Sequence, residues 1–146
     1  MKRVTENLEE TYALAAELLA EIRKFSLGKG VVVALRGDLG SGKTSFVQGV
    51  ARALGITEHV TSPTFVLEKL YDINGDPDFS RLVHIDAYRL ESEEDLRALR
   101  FSELSEDKNL VFVEWPEKVH ILNVPTIELT FLDDHRREVD WSKLHI

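Results

Sequence analysis

The stretch Gly37-Asp38-Leu39-Gly40-Ser41-Gly42-Lys43-Thr44 fits G-x-x-x-x-G-K-[ST], the loop that cradles phosphate in nucleotide-hydrolysing proteins. Its flanks are those such a loop requires. Ahead of it, Val31-Val32-Val33-Ala34-Leu35 is an unbroken apolar block, as in a strand covered on both faces. Behind it, Phe46, Val47, Val50, Ala51 and Leu54 recur at helical spacing, and Gly55 stands where a helix C-terminal glycine belongs. Strand, glycine loop and helix in that order predict a P-loop unit.

The residue types follow from the problem of holding a polyanion. Gly37, Gly40 and Gly42 permit positive φ and a close backbone approach that side chains would block. Successive amides then turn inward and form an anion-binding concavity, backed by the positive end of the following helix. The Lys43 ammonium is expected on the β- and γ-phosphates, and the Thr44 hydroxyl on Mg²⁺. The candidate nucleotide contacts are therefore Gly37, Asp38, Leu39, Gly40, Ser41, Gly42, Lys43 and Thr44, with Ser45 beside them.

Bulk properties narrow the class. A chain of 146 residues with 43% apolar and 30% charged content is expected to form one soluble domain over residues 1–146. It has no apolar run long enough to span a membrane and no signal-peptide core, so the cytoplasm is the expected compartment. There is no Cys, which excludes disulfides and thiolate metal sites. A surplus of 26 acidic over 18 basic residues gives a net charge of −8, which argues against a freestanding nucleic-acid binder. Any link to RNA is expected to run through a partner protein.

Outward from the loop, the chain reads as alternating elements. Leu8, Tyr12, Ala15, Leu19 and Ile22 step by four and three, predicting an amphipathic helix with Asn7 and Glu10 at capping-box spacing. Residues 1–5 are a short strand or an arm. Downstream, Pro63 forces Ser62 out of helical geometry, so Thr61-Ser62-Pro63-Thr64-Phe65 is either a γ-phosphate-sensing switch or an ordinary strand lead-in. Residues 65–73 and 82–86 form a hairpin around Asn74-Gly75. Its return strand ends at Asp86, where ligands bind in open α/β sheets. His84 shares a face with Asp86 and reads as a packed, hydrogen-bonded histidine. Arg89 either meets a phosphate or pairs with Glu91.

A short acidic helix opens at Ser92-Glu93-Glu94-Asp95, with Leu96, Leu99, Phe101 and Leu104 on its apolar side. Leu110-Val111-Phe112-Val113 is a second buried strand, ending in Glu114-Trp115-Pro116. Asp86 and Glu114 thus compete for the roles of Mg²⁺ ligand and catalytic base, and spacing does not separate them. Trp115 is either a half-buried core edge or a contact for nucleotide or partner. Residues 125–131 and 136–141 close the sheet as an antiparallel pair; Arg136 and Arg137 read as a solvated edge, with a base or phosphate contact as the alternative. The expected fold is α/β: a single P-loop NTPase domain with a mixed central sheet, parallel core strands, a β-hairpin, an antiparallel C-terminal pair and helices on both faces.

Taken together, Gly37–Thr44, Ser62-Pro63-Thr64-Phe65, His84-Ile85-Asp86-Ala87-Tyr88-Arg89 and Glu114-Trp115-Pro116 resemble the TsaE (YjeE) family of bacterial P-loop ATPases, over nearly the full length of the chain. The resemblance implies an auxiliary ATPase of tRNA threonylcarbamoyladenosine (t6A) formation that binds and resets a TsaB–TsaD heterodimer, with tRNA met only through that complex. It implies ATP or ADP with Mg²⁺ as cofactors. Under it Lys43 is the phosphate lysine, Thr44 and Glu114 are Mg²⁺ ligands, Asp86 is the Walker-B-type aspartate, and Trp115 is the sensitive tryptophan beside the site. Thr64 falls in the switch-like segment, and Glu9 and Arg136 fall near positions flanking the nucleotide. Two other readings share the loop. A small-molecule kinase needs an acceptor pocket and a lid, for which little sequence remains. A generic nucleotide switch selecting guanine would carry an N-K-x-D segment, which is absent.

Overall fold

The computed structural model describes residues 1–61, 68–88, 90, 93–98, 107–119 and 123–145. Residues 62–67, with Thr64, lie outside that set, as do Arg89, Glu91, Ser92, Leu99, Phe101 and Leu104. The elements run β1 (Lys2–Thr5), α1 (Leu8–Arg23), β2 (Val31–Arg36), α2 (Lys43–Ala53), β3 (Glu68–Asp72), β4 (Arg81–Asp86), α3 (Glu93–Ala98), β5 (Asn109–Glu114), a 3₁₀ turn at Pro116–Val119, β6 (Thr126–Phe131) and β7 (Arg137–Asp140). Seven strands make one sheet in the order β1-β7-β6-β2-β5-β4-β3. The pairs β6–β2, β2–β5 and β5–β4 are parallel, whereas both margins are antiparallel. Residues 1–5, open between strand and arm in the sequence, join the margin as β1 against β7.

The central strands are buried on both faces, which is why they carry no polar alternation. One face of β2 and β5 (Val31, Val33, Leu35, Leu110 and Phe112) packs with α1 and α2 in the main core. The other face (Val32, Val111 and Val113) joins Val83, Ile85, Ala87 and Leu90 in a second cluster. Phe46 of α2 meets Phe112 edge to face at 6.2 Å between ring centroids, fixing α2 over the sheet.

Both helices end as their sequences require. The Asn7 side chain accepts the Glu10 N–H at 2.9 Å, the first half of a capping box. At the C-terminus of α2, Ile56 N–H reaches Ala51 O and Gly55 N–H reaches Arg52 O, with Gly55 at φ 78°, a Schellman closure. The buried stripe of α1 is Thr11, Leu14, Ala15, Leu18, Leu19 and Ile22, which includes the expected Ala15, Leu19 and Ile22 but not Leu8 or Tyr12. Leu8 is 49% exposed and borders a recess beside the glycine loop. Among the described residues, no helix is long and apolar enough to cross a membrane.

Candidate functional site

β2 delivers the chain to the glycine loop, and α2 receives it. Gly42, at φ 99°, is the N-cap, and the first helical hydrogen bond runs from Phe46 N to Gly42 O at 2.9 Å. The amides of Lys43, Thr44 and Ser45 therefore precede any intrahelical partner and point off the helix end. Ser41 N–H closes the preceding turn onto Asp38 O at 3.0 Å. Beneath the loop passes β6: a methyl at Gly37 would stand 2.5 Å from Leu129 O, so only glycine fits there. The Ser41 hydroxyl is buried without a hydrogen-bond partner among the described residues. Free amides, an unpaired buried hydroxyl and a helix N-terminus at one spot are a donor set suited to phosphate.

Across from the loop, β4 and β5 end side by side, with Asp86 in register with Glu114. Lys43 is the centre of the arrangement, with only 7% of its surface exposed. Its ammonium hydrogen-bonds to Gly37 O, lies 3.6 Å from Glu114 Oε1 and sits 4.7 Å from the Trp115 ring centroid. The other Glu114 oxygen, Oε2, is 2.5 Å from His84 Nε2. Asp86 Oδ1 accepts the Tyr88 N–H at 3.0 Å, which turns the chain at the strand end. Trp115 has φ 58°, a left-handed conformation costly for an aromatic residue. That bend brings its ring to the loop, 5.1 Å from the Tyr88 ring. The loop from Leu39 to Ser45, Asp86, Glu114 and Trp115 enclose a cleft of about 660 Å³.

A smaller recess of about 190 Å³ adjoins the cleft, walled by Asn7, Leu8, Thr11, Ser45, His135 and Arg137. Arg137 borders both spaces. Its side chain lies along Gly42, bonds to the carbonyls of Asp133 and Arg136, and stacks 4.7 Å from the Phe131 centroid. Its Nε is buried without a partner among the described residues.

The structure thus gathers Leu39, Gly40, Ser41, Gly42, Lys43, Thr44, Ser45, Asp86, Glu114 and Trp115 around one cleft. Gly37 and Asp38 face a groove of about 590 Å³ on the other side of Leu39 and Trp115. Two expected residues are placed elsewhere. Glu9 is exposed on α1 and pairs with Arg52 at 3.7 Å. Arg136 pairs with Asp133 at 2.7 Å on the β6–β7 turn. The Arg136 side chain holds the Asp133 carboxyl down at about 2, helped by the His135 and Arg136 backbone amides. Arg137, the first residue of β7, is the arginine that reaches the cleft, whereas Arg136 stands before the strand and its side chain is held by Asp133 of the turn. Nothing in the sequence pattern marks Tyr88, Asn7 or Thr11 as site residues. Only the sheet and helix geometry brings them to the loop.

Known proteins agree with this geometry. A family model described as "Threonylcarbamoyl adenosine biosynthesis protein TsaE" matches residues 5–139. The "tRNA threonylcarbamoyladenosine biosynthesis protein TsaE" of Treponema pallidum is 40% identical over 117 residues, 77% of this chain and 82% of that one. The protein of the same description from Aquifex aeolicus is 36% identical over 138 residues, 93% and 91% of the two chains. The crystal structure of Bacillus subtilis YdiB matches with a TM-score of 0.66 at 30% identity, covering 99% of this chain and 86% of that one. With a glycine loop, paired strand-end carboxylates and a family match from β1 into β7, this chain belongs to the TsaE family.

Proposed function

We propose that this chain binds ATP with Mg²⁺ and hydrolyses it to ADP and phosphate, as a cytoplasmic auxiliary protein of t6A formation on tRNA acting on a TsaB–TsaD complex. The family match and the relatives' names support the pathway. One observation carries the chemistry: a buried lysine ammonium stands between the glycine loop and the Glu114 carboxylate, beside the free amides of a helix N-terminus.

In this reading the amides of residues 42–45 and Lys43 grip the β- and γ-phosphates, and the adjoining recess with Arg137 takes the rest of the nucleotide. Thr44, Asp86 and Glu114 are the oxygen donors that would hold Mg²⁺. The ion supplies charge neutralisation across the phosphate oxygens when bound. Lys43 and the loop amides stabilise charge as water displaces ADP from the γ-phosphorus. Turnover by the chain alone is slow, because both carboxylates are already engaged. Glu114 faces His84 and Lys43, and Asp86 accepts the Tyr88 N–H. The surplus of acidic residues keeps tRNA contact indirect, through the partner proteins.

The test is Mg²⁺-dependent phosphate release from ATP, with and without TsaB and TsaD. Lys43→Ala should lower turnover by about 10²-fold or more. Wild-type turnover in Lys43→Ala would overturn the mechanism, and absence of both complex formation and stimulation would overturn the partner assignment.

A further inference from the structure

We propose that His84 is a positioning residue for Glu114: its Nε2–H fixes one carboxylate oxygen so that the other faces the phosphate loop and the metal held there. The inference rests on the ATP–Mg²⁺ reading above and assigns a role to a residue that the reading leaves unused.

His84 is fully buried within β4, between Val83 and Ile85 of the second core cluster. An imidazole in such a strand costs desolvation that a leucine would avoid, so the ring needs a polar reason to be there. Its one polar contact among the described residues is Glu114 Oε2, at 2.5 Å. The opposite ring nitrogen, Nδ1, is buried without a partner among the described residues. A ring with a carboxylate at one nitrogen and no acceptor at the other carries its proton on Nε2, as a donor.

The two oxygens of Glu114 are not held alike. Oε2 makes a short, charge-assisted hydrogen bond to His84, whereas Oε1 is 3.6 Å from Lys43 Nζ, beyond hydrogen-bond length. His84 therefore sets the plane of the carboxylate, and Lys43 only occupies what that plane faces. When Lys43 moves to a phosphate, the histidine contact remains. Partners of this kind, behind a ligating group, are typically worth about 10–100-fold in metal affinity or activity.

The experiment is calorimetric titration of the full chain with a non-hydrolysable ATP analogue, with Mg²⁺ and with EDTA. Wild type should bind more tightly with Mg²⁺. His84→Leu, of similar volume but with no donor, should lose about 10-fold or more of that enhancement. Its affinity in EDTA should stay within about 2-fold of wild type, since the phosphate grip is elsewhere. His84→Gln, whose amide can still donate to Glu114, should recover most of the enhancement. An intact enhancement in His84→Leu, or equal losses with and without Mg²⁺, overturns the inference and leaves the ATP reading standing. No enhancement in wild type removes both. If His84→Leu does not fold, the nitrogen NMR spectrum of the wild-type imidazole decides: a proton on Nε2 supports the role, and a bare Nε2 excludes it.

Discussion

Gly49 sits in the middle of α2, where two effects give opposite signs for replacement by alanine. Helix propensity favours alanine by about 1 kcal/mol. Packing opposes it. A methyl there would stand 2.8 Å from Ala15 Cβ and 2.9 Å from Tyr12 Cα, both on α1. Carbon atoms are comfortable at about 3.5–4.0 Å, so the helices must part by roughly 0.5–1 Å. Tyr12 Cα is backbone and has no rotamer to yield with. Such overpacking costs about 1–3 kcal/mol. Parting the helices also strains the Tyr12 hydroxyl to Gln48 Oε1 bond of 3.0 Å, worth about 1 kcal/mol. Packing wins, and Gly49→Ala should be less stable by about 1–2 kcal/mol, lowering Tm by about 3–7 °C in a chain this size. Because α1 and its N-cap supply Leu8, Thr11 and Asn7 to the side recess, nucleotide affinity should fall with it. Thermal unfolding followed by circular dichroism reads the first effect. A Gly49→Ala protein melting at or above wild type would refute the reasoning, since it would mean that α1 is not held at this distance.

Two further outcomes separate neighbouring residues or conditions. Arg137→Ala should weaken nucleotide binding by about 10-fold, as expected for a lost charge-assisted contact, while Arg136→Ala should leave it within about 2-fold. Calorimetry on both variants checks this, and equal losses would return Arg136 to the site. Arg23 grips Asp76 at 2.7 and 2.8 Å, tying the end of α1 to the hairpin tip, and holds its carboxyl down at about 2. A carboxyl depressed in the folded state adds stability above about pH 4 and loses it as pH falls through about 2. Discounted for solvent screening of a partly exposed pair, the contribution is about 1 kcal/mol. Asp76→Asn should therefore narrow its stability gap to wild type between pH 4 and pH 2 in urea melts, and a constant gap would contradict the assignment.

The phosphate loop was legible because its chemistry is local. Positive φ at Gly40 and Gly42, the start of α2 at Lys43 and the glycine closure at Gly55 all follow from residues within one strand–loop–helix unit. The buried strands were legible because β2 and β5 are covered on both faces and so read as apolar runs. What the sequence left open depends on pairing across the sheet. Residues 2–5 are a strand only because β7 offers an edge 132 or more residues away, through pairs such as Thr5 with Arg137. That Arg137 and not Arg136 borders the cleft depends on where the β6–β7 turn ends and β7 begins, which the sequence pattern does not fix to one residue. His84 is legible in the sequence as a packed, hydrogen-bonded histidine, which it is, but its partner is not. Glu114 is thirty residues on and becomes adjacent only when β4 and β5 lie in parallel.

The charges at the cleft explain why a divalent cation belongs to the proposed chemistry. Asp86 and Glu114 are 6% and 5% exposed, and both border a loop built to hold an anion. At an effective dielectric of 20, two like charges about 4 Å apart repel by roughly 4 kcal/mol. Lys43 cannot relieve that repulsion for both parties. It now neighbours Glu114, and moving to a phosphate would leave the carboxylate with His84 as its remaining close polar partner. Arg137 reaches the cleft from the opposite wall, beside Gly42, and so adds positive charge on the phosphate side and not between the two acids. Asp86, Glu114 and Thr44 would hold an ion of charge +2, which would offset both repulsions at once. In the proposed mechanism, where Lys43 serves the phosphates, the metal requirement would thus be a property of the sheet's register, set where Asp86 aligns with Glu114.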